Sequence, residues 1–314
     1  MSIPCLSLNI ACRFLAPAAL PIFKGSTLRG AFGHALTTVT CALRRQDCET
    51  CLLAKTCGYA LIFATEKLCD SHVAARPHPY ILNPPATEQQ NYETDEPFEF
   101  NLVLIGPALR FLPHIIYAIE EMGKHGLGKG AKEGQGRFAL AAVRMEHVPD
   151  APPLYDERDK TLRQPGTLPH LALEETGQPV RELTIELLTP LRIKKDNRLL
   201  QATPDFADLV RAALRRVSML EKHYGENPSE PDYHKLVRQA ETVSLRDAAI
   251  RWQDYKRYSN RQRQDMSFGG LVGSLRFQGD LASFLPFLHY CEAVNLGKQT
   301  AFGLGKIRIT AESS

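Results

Sequence analysis

Lys24-Gly-Ser-Thr-Leu-Arg-Gly-Ala-Phe-Gly-His-Ala-Leu36 contains an imidazole, the side chain whose ordinary titration range lets it take or give a proton near neutrality. Ser26 or Thr27 is placed to cap a helix that carries Leu28, Phe32, Leu36, Val39 and Leu43 on one face. His34 then falls nearly opposite that face, beside Gly30, Gly33 and Thr37. Two glycines inside a helix cost about 1 kcal/mol each relative to alanine, so the face they form lets something approach closely, whether a ligand or merely another helix or strand. On helical geometry alone, a solvated histidine on a polar face is the plainer reading.

A second constellation is Cys41-x6-Cys48-x2-Cys51-x5-Cys57. Thiolates are soft ligands, and spacers this short can fold four of them around one tetrahedral zinc ion or an iron–sulfur cluster. The outer spacings differ from those of a paired Cys-x2-Cys ribbon, and free buried thiols fit the pattern equally well.

The third is Arg251-Trp-Gln-Asp-Tyr-Lys-Arg-Tyr-Ser-Asn-Arg-Gln-Arg263, in which Arg251, Lys256, Arg257, Arg261 and Arg263 interleave with Trp252, Tyr255 and Tyr258. Planar rings stack on unpaired bases while cations neutralise phosphates, a combination suited to single-stranded RNA or the edge of a hairpin. A Tyr/Arg-rich strand packed on its own domain has the same composition.

Two glycine-rich loops complete the set. Gly126-Leu-Gly-Lys-Gly-Ala-Lys-Glu-Gly-Gln-Gly136 and Asn295-Leu-Gly-Lys-Gln-Thr-Ala-Phe-Gly-Leu-Gly305 repeat one spacing, Gly128/Gly134/Gly136 against Gly297/Gly303/Gly305. Each lies between a helix-like and a strand-like stretch, which excludes a dinucleotide loop, because that loop follows a strand and opens a helix; the Walker order is also lacking. Backbone N–H groups of such loops, with Lys129, Lys132, Lys298 and Lys306 alongside, suit the phosphates of a polymer backbone. A tight basic surface turn is the alternative.

The elements that must position these residues follow from periodicity. Cys5–Phe14 alternates with period two and reads as a half-buried strand. Residues 76–97 hold five prolines and read as extended surface chain, 98–105 as a strand, 108–124 as a helix and 137–148 as a strand. Residues 149–180, with six prolines, read as a linker. Beyond it come a strand at 181–189, a basic hairpin turning at Asp196-Asn197, helices at about 204–223 and 233–247, a strand at 268–279, a helix at 280–293 and a closing strand. The two halves share a strand-helix-loop-strand ending, so the duplicated loop predicts a duplicated unit. The expected architecture is α+β: two tandem ferredoxin-like (split βαβ) domains, at 1–148 with a cysteine-rich insertion at 41–57 in the first, and at 181–314.

Composition agrees with a globular chain of 314 residues with 44% hydrophobic and 23% charged residues. The net charge of +3 is unevenly spread: from 181 onward 21 Lys+Arg face 16 Asp+Glu, whereas 1–180 carries 17 and 19. The C-terminal half is the better candidate to meet a polyanion. Arg13 interrupts the first apolar run and no stretch reaches about 18 apolar residues, so neither signal peptide nor membrane span is expected and the location is read as cytoplasmic.

These residues resemble a known group. Gly-x5-Gly-hydrophobic-Gly near the C-terminus resembles the signature loop of the repeat-associated mysterious proteins (RAMPs) of CRISPR systems. With Leu28–Leu36, the cysteine knuckle ending Cys57-Gly-Tyr, Arg257–Gln262, Gly269-Gly-Leu-Val-Gly273 and Leu296–Gly305, the chain looks like a CRISPR precursor-RNA-processing endoribonuclease. The resemblance implies recognition of a repeat RNA hairpin and cleavage within the repeat without a catalytic cofactor, by attack of a 2′-hydroxyl on the adjacent phosphate, leaving a 5′-hydroxyl and a 2′,3′-cyclic phosphate. It points to His34 as general base, with Lys24, Arg29 or a cation of Arg251–Arg263 stabilising the pentavalent phosphate. It also implies other CRISPR effector subunits as partners. The alternative it leaves is a non-catalytic RNA-binding subunit of an effector complex. In the family a histidine often precedes the final Gly-Lys-x-Thr; Asn295 and Leu296 stand there in this chain.

Overall fold

The computed structural model describes residues 2–43, 47–68, 76–148, 150–174, 177–226, 232–259 and 264–313, with side chains omitted at 256–259, 264–267 and 313. The chain forms two compact units, Pro4–His170 and Leu171–Ser314 with Met1–Ile3.

In the first unit β1 (Ser2–Phe14) is the long central strand, and its alternation puts Leu6, Leu8, Ile10, Cys12 and Phe14 into the core. It leads to α1 (Gly25–Thr40), then through a short helix α2 (Gly58–Ile62) to β2 (Tyr80–Asn83). Next come β3 (Pro97–Ile105), α3 (Leu112–His125) and β4 (Phe138–Met145). The four strands lie in the order β2-β3-β1-β4, all antiparallel, with Leu8 opposite Leu102 on β3 and Ile10 opposite Val143 on β4. This is the split βαβ arrangement. Both helices lay an apolar stripe on the sheet: Leu28, Phe32 and Leu36 from α1, Ile115, Ile119 and Met122 from α3. Each such side chain fully removed from water contributes about 1.5–3 kcal/mol.

The second unit repeats the plan with β5 (Val180–Leu191), α4 (Phe206–Tyr224), α5 (Tyr233–Ala240), β6 (Ser244–Gln253), a hairpin of β7 (Lys256–Ser259) and β8 (Gln264–Ser267), β9 (Gly270–Gln278), α6 (Leu285–Val294) and β10 (Ile307–Ser313). Its strand order is β6-β9-β5-β10, with Ile185 between Leu275 and Ile309. The predicted turn at Asp196-Asn197 is present: both residues have positive φ (49° and 60°) and join Lys194–Lys195 to Arg198–Leu199.

Several elements differ from expectation. The helix carrying His34 starts at Gly25, with Lys24 rather than Ser26 or Thr27 at its N-cap. Residues 80–83, expected as surface chain, are a fully buried strand, because Tyr80, Ile81 and Leu82 fill the sheet beside β3 between two flanking prolines. The helix expected to run to 247 stops at Ala240, and Ser244 opens a strand. The expected linker is partly tethered: Leu154 and Tyr155 are buried, and Tyr155–Asp156 pairs with β4.

Candidate active site and nucleic-acid interface

The glycine loops are two copies of one structure. In the first, Leu127 N–H donates to Gly136 O (2.9 Å), Gly136 N–H to Pro17 O (2.9 Å), Lys129 N–H to Ala19 O (3.0 Å) and Gly134 N–H to Ala131 O (3.1 Å). In the second, Leu296 donates to Gly305 O (2.7 Å), Gly305 to Pro190 O (3.1 Å), Lys298 to Arg192 O (2.9 Å) and Gly303 to Thr300 O (2.8 Å). The glycines are required by this scaffold: at Gly136 and Gly305, with φ of 65° and 72°, a Cβ would stand 2.0 and 1.8 Å from the carbonyl oxygen of Leu127 or Leu296. The amides of Gly134 and Gly303 are thus engaged within the loops and those of Gly136 and Gly305 on Pro17 and Pro190, so these four are committed to protein carbonyls and not free for the phosphates expected of them.

Asn295 occupies the place of Gly126, at φ 55° against 82°, and its Nδ2 donates to Leu304 O at 3.1 Å. It is buried, so Asn295 is structural in this loop. The first loop is preceded by a histidine: His125 ends α3 directly before Gly126-Leu-Gly-Lys.

His125 and His34 meet. Their ring centroids are 5.7 Å apart at an interplanar angle of 60°, on α3 and α1, which pack side by side. Both are exposed, and both line a cleft of about 390 Å³ whose polar wall is Lys124, Lys132 and Arg137 and whose floor is Ala31, Ala35 and Met122. His125 Nδ1–H donates to Glu121 O at 2.7 Å, which leaves Nε2 for another partner. Lys124 Nζ is already paired with Glu121 Oε1 at 2.6 Å, so it is two imidazoles with Lys132 and Arg137 that have the makings of proton transfer at a phosphate. Of the cleft residues, His34 and Lys132 were sequence candidates; His125, Lys124 and Arg137 were missed, although a histidine immediately before the glycine spacing was a usable signal.

Lys24 and Arg29 lie elsewhere. Lys24 is 1% exposed, and its ammonium donates to Ile22 O (3.1 Å) and Thr87 O (3.0 Å); burial pushes it below the usual lysine range, opposed by Glu88. A cation held this way anchors the start of α1 and does not reach a phosphate. Arg29 lies 4.3 Å above the Phe63 ring and donates to His78 Nε2 at 3.2 Å, while His78 Nδ1 faces Thr65 Oγ1 at 3.1 Å. Five residues from His34 on a helix, it points about 140° away. The close approach permitted by Gly33 is taken up by Phe63, whose ring would stand 2.2 Å from a Cβ there.

The zinc or iron–sulfur site expected at Cys41, Cys48, Cys51 and Cys57 is not supported. Among the described residues no three His, Cys, Asp or Glu gather as a metal-binding group. Cys57 Sγ donates to Thr40 O at 3.7 Å. Burial, then the neighbouring Cys57, pushes the Cys41 and Cys48 thiols up.

In the second unit, Lys298 is exposed on its loop, and partial desolvation, then Lys194 and Arg215, hold it below the ordinary lysine range. Three cations from the loop, the basic hairpin and α4 therefore converge. Lys195 is already neutralised by Asp205 and Asp208 at 3.1 and 3.0 Å. Lys306 is half-buried, and its backbone N–H donates to Thr189 Oγ1 (2.8 Å). Lys194 and Arg215 were not among the sequence candidates. Arg251 and Trp252 belong to the edge strand β6 and Tyr255 follows it; Trp252 is half-buried over Gly269, where a Cβ would stand 2.7 Å from its ring. The side chains of Lys256, Arg257 and Tyr258, and all of Arg261 and Arg263, lie outside the described residues. In the first unit Lys129 is exposed on its loop. Among the described residues no helix is long and apolar enough to cross a membrane.

Tandem split-βαβ domains, each closed by the same glycine loop, define a RAMP-type architecture. A family model described as an N-terminal domain, AF_1859_N, matches residues 3–167, and the model of the CRISPR-associated endoribonuclease Cas6 matches 185–307. The chain belongs to the family of that N-terminal domain, which covers more than half of it, and its C-terminal unit matches the Cas6 endoribonuclease domain; together these support a CRISPR-associated RAMP-type endoribonuclease. An uncharacterized protein of Archaeoglobus fulgidus is 24% identical over 296 residues, 92% of each chain. A Cas6 product complex covers 99% of this chain and 100% of its own at 15% identity and a TM-score of 0.58. Thermus thermophilus Cas6 covers 98% and 99% at 14% identity and a TM-score of 0.55. A Cas6-RT-Cas1–Cas2 complex matches over 99% of this chain but 46% of its own, at 12% identity and a TM-score of 0.59. At these identities the likenesses speak for the fold.

Proposed function

We propose that this protein cuts CRISPR precursor RNA within the repeat without a metal ion. His34 takes the proton of a 2′-hydroxyl, the 2′-oxygen attacks the adjacent phosphorus, and the bond to the 5′-oxygen breaks, leaving a 2′,3′-cyclic phosphate and a 5′-hydroxyl. The observation that carries this reading is the cleft of the first unit, where an exposed imidazole on α1 faces Lys124, Lys132 and Arg137. Lys132 and Arg137, in place of Lys24 and Arg29, offset the charge of the pentavalent phosphorane. The second unit supplies phosphate contacts through Lys298, Lys194, Arg215 and Lys306, and the repeat RNA is the partner these cations fit. Association with further CRISPR proteins is part of the same proposal, supported by the matched Cas6 portion of an RT-Cas1–Cas2 complex.

The test is incubation of end-labelled RNA carrying one CRISPR repeat of the source organism with the protein in EDTA, followed by analysis of the ends. The expected result is one cut with a cyclic phosphate, slowed about 10²–10⁴-fold in His34→Ala. A cut that requires added magnesium, or one that His34→Ala leaves at full rate, would overturn the proposal. Tight binding with no cut would favour the non-catalytic subunit instead.

A further inference from the structure

Cleavage by a 2′-hydroxyl needs two proton transfers, one from the nucleophile and one to the leaving 5′-oxygen, whose alkoxide is a poor leaving group. His34 accounts for the first. We infer that His125 is the second catalytic residue, the general acid that protonates the leaving oxygen. The inference rests on the endoribonuclease reading above and deepens it.

Three observations carry it. The His34 and His125 rings lie 5.7 Å apart on different helices, room for one phosphate to bring its attacking and leaving oxygens to separate imidazoles. Both line the same cleft, whose remaining polar groups are Lys124, Lys132 and Arg137; lysine and arginine carry no acceptor, so among the cleft's side chains the imidazoles are the pair suited to exchange protons near neutrality. The tautomer of His125 is set as well: Nδ1–H is committed to Glu121 O at 2.7 Å, so a proton on Nε2 is the one free to be given up. The following Gly126, at φ 82°, turns the chain sharply after His125 and starts the loop that brings Lys132 and Arg137 to the same cleft.

In the balanced step the 2′-hydroxyl gives its proton to His34, the 2′-oxygen–phosphorus bond forms as the phosphorus–5′-oxygen bond breaks, and the 5′-oxygen takes the Nε2 proton of His125. The protein ends with the two protonation states exchanged, and water restores them. No other reactant is needed.

Replacing the scissile 5′-oxygen by sulfur tests the assignment, since a thiolate, with a conjugate-acid pKa of about 8.5, departs without being protonated. The probes are the repeat RNA and the same RNA with a 5′-bridging sulfur at the linkage that the wild-type protein cuts. His125→Ala and His125→Gln, the latter keeping a donor for the Glu121 carbonyl, are expected to cut the oxygen RNA about 10²–10⁴-fold more slowly than wild type and the sulfur RNA within about tenfold of it. His34→Ala stays slow on both. Wild-type cleavage should follow a bell-shaped pH profile whose alkaline limb is lost in His125→Ala; the charged neighbours, Glu121 and Lys124 on α3 and Lys132 and Arg137 on the loop, are unchanged in that variant. Unaltered urea midpoints show that the variants are folded. If His125→Ala cuts the oxygen RNA at the wild-type rate, or sulfur does not restore it, His125 is not the acid, while the endoribonuclease reading stands. If wild type cuts neither RNA, that reading fails and this one with it.

Discussion

Lys24 and His34 exchange the importance that their side-chain types suggest. A lysine ahead of a catalytic helix looks like a phosphate ligand, but this one is buried with its ammonium on two carbonyls. Lys24→Ala should therefore cost stability, about 1.5–3 kcal/mol from the missing charged hydrogen bonds, and leave cleavage by the folded fraction unchanged. Urea denaturation beside a rate measured well below the midpoint checks this. Arg137→Ala should do the reverse: an exposed cleft cation is removed, so the urea midpoint moves little while single-turnover cleavage slows at least tenfold. A rate loss in Lys24→Ala, or none in Arg137→Ala, would reassign the two.

At the scale of elements, the glycine loops are built by hydrogen bonds within each unit, and Gly136 and Gly305 are fixed by positive φ and by carbonyl oxygens that an added Cβ would overlap. Gly136→Ala and Gly305→Ala should each destabilise by at least about 1–2 kcal/mol from the left-handed backbone alone, with the carbonyl clash in addition. Chemical denaturation of each variant measures this. The effect of Gly305→Ala should extend to weaker RNA binding, because Lys298 is positioned by the same loop. A second element carries a pH signature. Glu221 on α4 is buried and accepts from the Tyr290 hydroxyl at 3.2 Å, and burial raises it above the ordinary carboxyl value. A carboxyl raised in the folded state contributes stability that is complete below its unfolded pKa of about 4.3 and is lost as pH rises through the folded value. Urea midpoints of wild type should fall over that window, and Glu221→Gln should flatten the fall.

At the scale of the molecule, a chain with a net charge of only +3 meets a polyanion through local convergence of cations. The triple variant Lys194→Ala, Arg215→Ala, Lys298→Ala should reduce the slope of log affinity for repeat RNA against log salt by about 2, near 0.7 for each single-strand phosphate that is no longer neutralised. His34→Ala should keep the wild-type slope. Equal slopes in wild type and the triple variant would place the phosphate-binding cations elsewhere.

Local features were readable from the residues themselves. Strands β1 and β5, the four long helices in outline, the Asp196-Asn197 turn and the duplicated loop follow from alternation, amphipathic spacing and residues that tolerate positive φ, properties each short stretch carries alone. The same reasoning exposed His34 and led to the tandem split-βαβ plan. It missed β2 and β6, the outermost strand of the four-strand plan in each unit, for opposite reasons. Tyr80–Asn83 is four buried residues between prolines, too short to alternate, while Ser244–Gln253 is largely exposed on both faces and has no alternation to show. What only the tertiary structure decided is which groups share a site. His34 meets His125 because α1 and α3 pack side by side; Lys24 is buried and Arg29 is held by Phe63 and His78; Lys298 is joined by Lys194 and Arg215. Each pairing depends on strand register and helix packing summed over the whole unit, and no short stretch of chain contains that information.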